Sequence, residues 1–113
     1  MENKKDYIMR MLQLLFEAIL KIEKALDLED EEGARKQIDF SYQLLGKNRD
    51  FFLMSSSEVI ITHLSSTHYD LAVFEYVSKL LYYEFSLSKL NEPKYQSLLN
   101  AKQLLEYHMN NSM

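Results

Sequence analysis

Glycine occurs twice and proline once in 113 residues, at positions 33, 46 and 93. Sheets joined by tight turns draw on these residues for positive-φ and fixed-φ positions, whereas helix interiors exclude them. All three fall where helices are expected to end, so the chain is read as all-α. At this length one domain is expected, residues 1–113, and folding should bury roughly two thirds of the unfolded chain's surface.

Apolar residues recur at helical spacing from Asp6 to Leu28. Ile8, Met11, Leu12, Leu15, Ile19, Ile22 and Leu26 form one stripe, widened by Met9, Phe16 and Leu20, which leaves Arg10, Gln13, Glu17, Lys21 and Lys24 as a narrow polar face. Asp27 and the acidic run Glu29 to Glu32 end this helix and supply carboxylates to the N-terminus of the next, where the helix dipole stabilises them. A second helix is expected over residues 31–45, with Ala34, Ile38, Ser41 and Leu45 inward and Gly46 as its C-terminal cap. Phe51-Phe52-Leu53-Met54 is too apolar for a solvated loop. Ser55-Ser56-Ser57-Glu58 reads as a capping box, Ser55 at the N-cap and Glu58 at N3, with Met54 and Val59 as the hydrophobic staple of a short helix to about Leu64. Ser65-Ser66-Thr67 is expected to break the chain before a long helix, residues 68–90, with Leu71, Phe74, Val77, Leu81 and Phe85 inward. Asn91-Glu92-Pro93 restarts a last helix to about His108, with Pro93 at its first position. That helix is expected to bury Leu98, Ala101, Leu105, Leu99 and Met109, and residues 110–113 are expected to fray.

The expectation is thus about five helices: two antiparallel helical hairpins, residues 6–46 and 67–109, joined by a linker with a short helix at 47–66. A gapless comparison of residues 33–45 with 93–105 matches three positions, Gln43-Leu44-Leu45 with Gln103-Leu104-Leu105. The offset of 60 is far from the 34-residue tetratricopeptide period, so the pattern is one of tetratricopeptide-like stacking and not of a regular array. Asp6-Tyr7-Ile8-Met9-Arg10-Met11, a long apolar helix, an acidic turn and a Gly33-Ala34 helix ending in Leu44-Leu45-Gly46 resemble a family of small uncharacterised proteins from Gram-positive bacteria. The resemblance is best over residues 6–46; after Arg-Met the family has Ile-Glu-Gln where this chain has Leu12-Gln13-Leu14. It implies tetratricopeptide-like helices and a bacterial cytoplasmic setting, and it lends no activity to any residue.

With no Cys, the chain has no disulfide, zinc-ribbon or thiol chemistry, which fits a reducing compartment. Arg10, Glu17 and Lys21 interrupt the N-terminal apolar stretch and no small-residue cleavage site follows, so a signal peptide is not expected. The longest charge-free run, Val59 to Tyr69, is 11 residues, against about 20 for a membrane-spanning helix. His63 and His68 are five apart across an expected helix break, outside the i, i+3 and i, i+4 spacings of helical metal sites. No metal or other cofactor is expected. Nor is an enzyme: there is no Gly-rich phosphate loop, no G-x-S-x-G and no His-Glu-x-x-His. A net charge of −4 and a pI near 5.3 disfavour nucleic acid.

Charge is divided unevenly. Residues 1–50 carry 20 charged side chains and residues 51–113 only 10, and the second part holds six of the eight Tyr, at 69, 76, 82, 83, 95 and 107. A charge-poor, Tyr-rich stretch has the composition of an interface core. Tyr82 and Tyr83 point about 100° apart on a helix, so at least one should face a neighbour element or a partner. Tyr76, Lys79, Tyr83 and Ser86 share a face of the long helix, as Arg10, Gln13, Glu17 and Lys21 do on the first. In tetratricopeptide-like stacking these would line a shallow groove, making Arg10, Glu17, Tyr76, Lys79 and Tyr83 the candidate partner-binding residues. The function expected is that of a non-catalytic protein–protein interaction or scaffolding module, cytoplasmic and homodimeric. The alternative is a small-molecule or peptide-sensing domain with a Tyr-lined pocket between hairpins.

Overall fold

A computed structural model describes residues 4–67, 70–87 and 94–111, and all regular structure among them is helical. Six helices are seen where five were expected: α1 (Lys4–Asp27), α2 (Glu31–Leu44), α3 (Arg49–Met54), α4 (Ser57–Thr67), α5 (Ala72–Leu87) and α6 (Lys94–Asn111). By its internal contacts the chain divides into two compact units, Met1–Asn48 and Arg49–Met113.

In the first unit α1 packs along α2. Ile8, Met11, Leu15, Ala18, Ile19, Ile22 and Ala25 are buried on α1, and Ala34, Ile38, Ser41, Tyr42 and the C-cap Leu45 on or beside α2. The turn between them is built from backbone geometry. Glu29 adopts φ 59°, the left-handed region, while its N–H donates to the Leu26 carbonyl (3.1 Å) and the Asp30 N–H to that of Ala25 (2.8 Å). This is a Schellman closure with Glu29 where glycine is usual. Asp30 at once becomes the N-cap of α2, its Oδ1 accepting from the Gly33 N–H at 3.0 Å. Glu31 and Glu32 follow in the first turn of α2, as the acidic run implied. Gly46, at φ 82°, ends the helix, with its N–H donating to the Gln43 carbonyl. Met9, Phe16 and Leu20 do not widen the core stripe: they are 58%, 43% and 51% exposed. They lie about 140° around the helix from the centre of the buried face, beyond the reach of the core on that side.

In the second unit α5 and α6 are the main packed pair, with α3 and α4 against α6 and α4 against α5. The additional helix, α3, arises because Phe51-Phe52-Leu53-Met54 coils into a turn that buries Phe52. The N-cap of α4 is Ser56 and not Ser55, since the Ser56 hydroxyl accepts from the Val59 N–H (3.4 Å). Glu58 then falls at N2, and the expected Met54–Val59 staple is absent because both residues are exposed. Residues 65–67 extend α4 instead of breaking it. Within α4 the Thr62 and Ser66 hydroxyls donate to the Glu58 and His63 carbonyls at 2.9 Å, so these side chains bond back along the helix. The N-terminus of α5 is capped by Asp70, whose Oδ1 accepts from the Ala72 N–H at 2.9 Å. His68, the Asn91-Glu92-Pro93 restart and the final two residues lie outside the described residues. Residues 110 and 111 belong to α6.

The face α6 turns inward departs most from expectation. Ser97, Asn100, Ala101 and Leu104 are buried, while Leu99, Leu105 and Met109 are exposed. Polar burial is possible because each group is satisfied. The Ser78 hydroxyl on α5 donates to the Ala101 carbonyl (2.7 Å), the Asn100 amide to the Ser55 carbonyl (2.9 Å), and Ser57 to Gln103 Oε1.

Candidate interaction surfaces

The outward side of α1 carries two adjoining strips. One is the expected polar face: Arg10, Gln13, Glu17, Lys21 and Lys24 are all exposed, and Gln13 donates to Glu17 Oε1 at 3.2 Å. The other combines charge and apolar surface. At about 100° per residue, Lys5, Met9, Phe16, Leu20, Glu23 and Asp27 fall within about 60° of one another, and all six are exposed.

On α5 the open sector is Lys79, Tyr82 and Ser86, with Tyr82 54% exposed and its ring 6.4 Å from that of Phe85. Tyr83 is buried, which corrects its assignment to an open binding face. Burial of Val73, Phe74, Val77, Ser78, Leu80, Leu81, Tyr83 and Glu84 covers more than half of the α5 circumference and carries Tyr83 with it. Of two adjacent tyrosines, then, one is inside and one outside. Tyr76 sits half-buried at the margin, and burial, followed by the Glu75 and Asp70 carboxylates, raises its phenol pKa above the usual tyrosine value. Arg10 and Glu17 belong to the first unit, and Tyr76, Lys79 and Tyr83 to the second.

Several titratable groups of the second unit make packing contacts. Glu84, with 2% of its side chain exposed, meets Arg49 at 2.8 Å. His108 Nδ1 lies 2.9 Å from the Leu71 carbonyl oxygen and Nε2 3.8 Å from Glu75 Oε2. His63 stands edge-on to Phe51, ring centres 5.3 Å apart. Among the described residues no three His, Asp or Glu converge in a geometry suited to a metal ion, and every buried side-chain nitrogen or oxygen has a hydrogen-bond partner. No described helix is long and apolar enough to cross a membrane.

The links missed from sequence, Arg49 to Glu84 and Ser57 to Gln103, join residues 35 and 46 apart. No local pattern announces such pairs. The only hint was an apolar α3 that had to be covered. No family description, curated protein or solved structure matches this chain.

Proposed function

We propose that the protein is a non-catalytic protein–protein interaction module of a bacterial cytoplasm that associates first with a second copy of itself. The observation that carries this reading is the set of exposed large apolar side chains on one side of α1, Met9, Phe16 and Leu20, with Tyr7 and Leu14 exposed elsewhere on the same helix. Apolar surface gathered on one element, and not scattered singly, is the mark of a protein contact. α6 adds Leu105 and Met109, four residues apart and both exposed. The polar inventory supports the same reading, because the buried hydroxyls, amides and the Arg49–Glu84 pair are engaged in holding helices together. The α1–α2 and α5–α6 pairs are taken as the two hairpins of a tetratricopeptide-like arrangement, a scaffold type that works by surface display.

Self-association makes stability depend on protein concentration. The helical signal should therefore melt at a temperature that rises as the protein is concentrated from low to high micromolar. A midpoint independent of concentration would contradict the reading.

A further inference from the structure

The α1 face that holds Met9, Phe16 and Leu20 has an order along its length: Lys5 at one end, apolar residues in the middle, Glu23 and Asp27 at the other end. We infer that this face is the contact surface for a second copy, with the two α1 helices antiparallel about a two-fold axis at Phe16. The inference rests on the self-association proposed above and names its surface. Phe16 lies midway between Lys5 and Asp27 in sequence, so antiparallel pairing centred there sets Phe16 against its own counterpart, Leu20 against the half-buried Leu12 at the edge of the face, and Met9 against Glu23. It also sets each Lys5 against Asp27 of the second copy. A parallel pairing would put Lys5 against Lys5 and Asp27 against Asp27.

The helix dipole selects the same arrangement. Within its own α1, Lys5 sits in the first turn and Asp27 is the last residue, so each charge opposes the dipole end it occupies. In the antiparallel pair Lys5 of one copy reaches the negative C-terminal end of the other helix and Asp27 the positive N-terminal end. Both charges are then favourably placed, about 33 Å apart along the contact. A single helix-on-helix seam is smaller than a standard interface, so the dimer is a weak one, with a dissociation constant that rises with salt.

Two charge reversals test this. Lys5→Glu and Asp27→Lys each relieve a clash with the dipole inside the monomer, yet each turns both intermolecular pairs repulsive. Each variant alone should raise its melting temperature under dilute, monomeric conditions. Each should also dimerise about tenfold more weakly than the unsubstituted chain. An equimolar mixture of the two restores both pairs in the heterodimer and should recover the original affinity, read by sedimentation with one species fluorescently labelled. Phe16→Glu, which places two carboxylates on the axis, should abolish dimers while leaving the helical signal intact. If the unsubstituted chain dimerises but the two reversals dimerise equally well and mixing adds nothing, this surface is wrong and self-association stands. If the unsubstituted chain never dimerises, both are wrong.

Discussion

At the residue scale, two positive-φ positions do the same job with different side chains. Gly46 takes its conformation freely, and no atom lies within 4 Å of where a Cβ would sit, so Gly46→Ala isolates the conformational cost. It should destabilise the protein by about 1 kcal/mol in urea unfolding. Glu29 already bears that cost at φ 59°. Glu29→Gly should therefore stabilise by about 1 kcal/mol at most, since glycine's freedom in the unfolded chain offsets part of the gain. Tyr76 is a third case. Its raised pKa means the folded chain holds the phenol proton more tightly than the unfolded chain does. The stabilisation is complete below the ordinary tyrosine pKa of about 10 and is lost as pH rises through the higher folded value. Tyr76→Phe should accordingly remove from the tyrosinate absorbance a component that titrates above the ordinary tyrosine range.

At the scale of elements, the α1–α2 turn couples two neighbours. A Cβ on Gly33 would stand 2.2 Å from Asp30 Oδ2, so an alanine there displaces the cap of α2. Gly33→Ala should gain little by itself, because its helix propensity, worth about 1 kcal/mol, is offset by the lost cap. In an Asp30→Ala background the same change should stabilise by close to the full propensity difference. A double-mutant cycle by urea unfolding measures the coupling, and additive effects would contradict the geometry. In the second unit, Arg49→Ala should cost about 2 kcal/mol, below the ~3–5 of fully buried pairs because Arg49 keeps 39% side-chain exposure.

Legibility divides along the same line between local and long-range determinants. Helix class, the acidic turn and the Gly46 cap follow from neighbours in sequence, and so does the core stripe of α1, whose apolar period is uninterrupted. The inward face of α6 does not. Leu98, Leu105 and Met109 share a side at good helical spacing, and hydrophobic periodicity selects them. Yet the buried side is the one where Ser97 and Asn100 lie, because groups from elsewhere in the unit meet its polar atoms: the Asn100 amide donates to the Ser55 carbonyl and the Ser78 hydroxyl to the Ala101 carbonyl. Ser65 to Thr67 misled for a related reason: hydroxyls that often end helices can also bond back within one. Of the candidate site, the polar face of α1 was legible and the exposed Tyr of the adjacent pair was not, since which of Tyr82 and Tyr83 goes inside depends on what packs around α5.

At the scale of the whole molecule, the role proposed for the apolar surface on α1 is to be covered by another copy. Light scattering on the purified chain at several hundred micromolar and low salt tests that most directly. The expected result is a mass approaching twice 13.4 kDa, falling toward the single-chain value on dilution and in Phe16→Glu at any concentration. A mass that stays at 13.4 kDa throughout would contradict it.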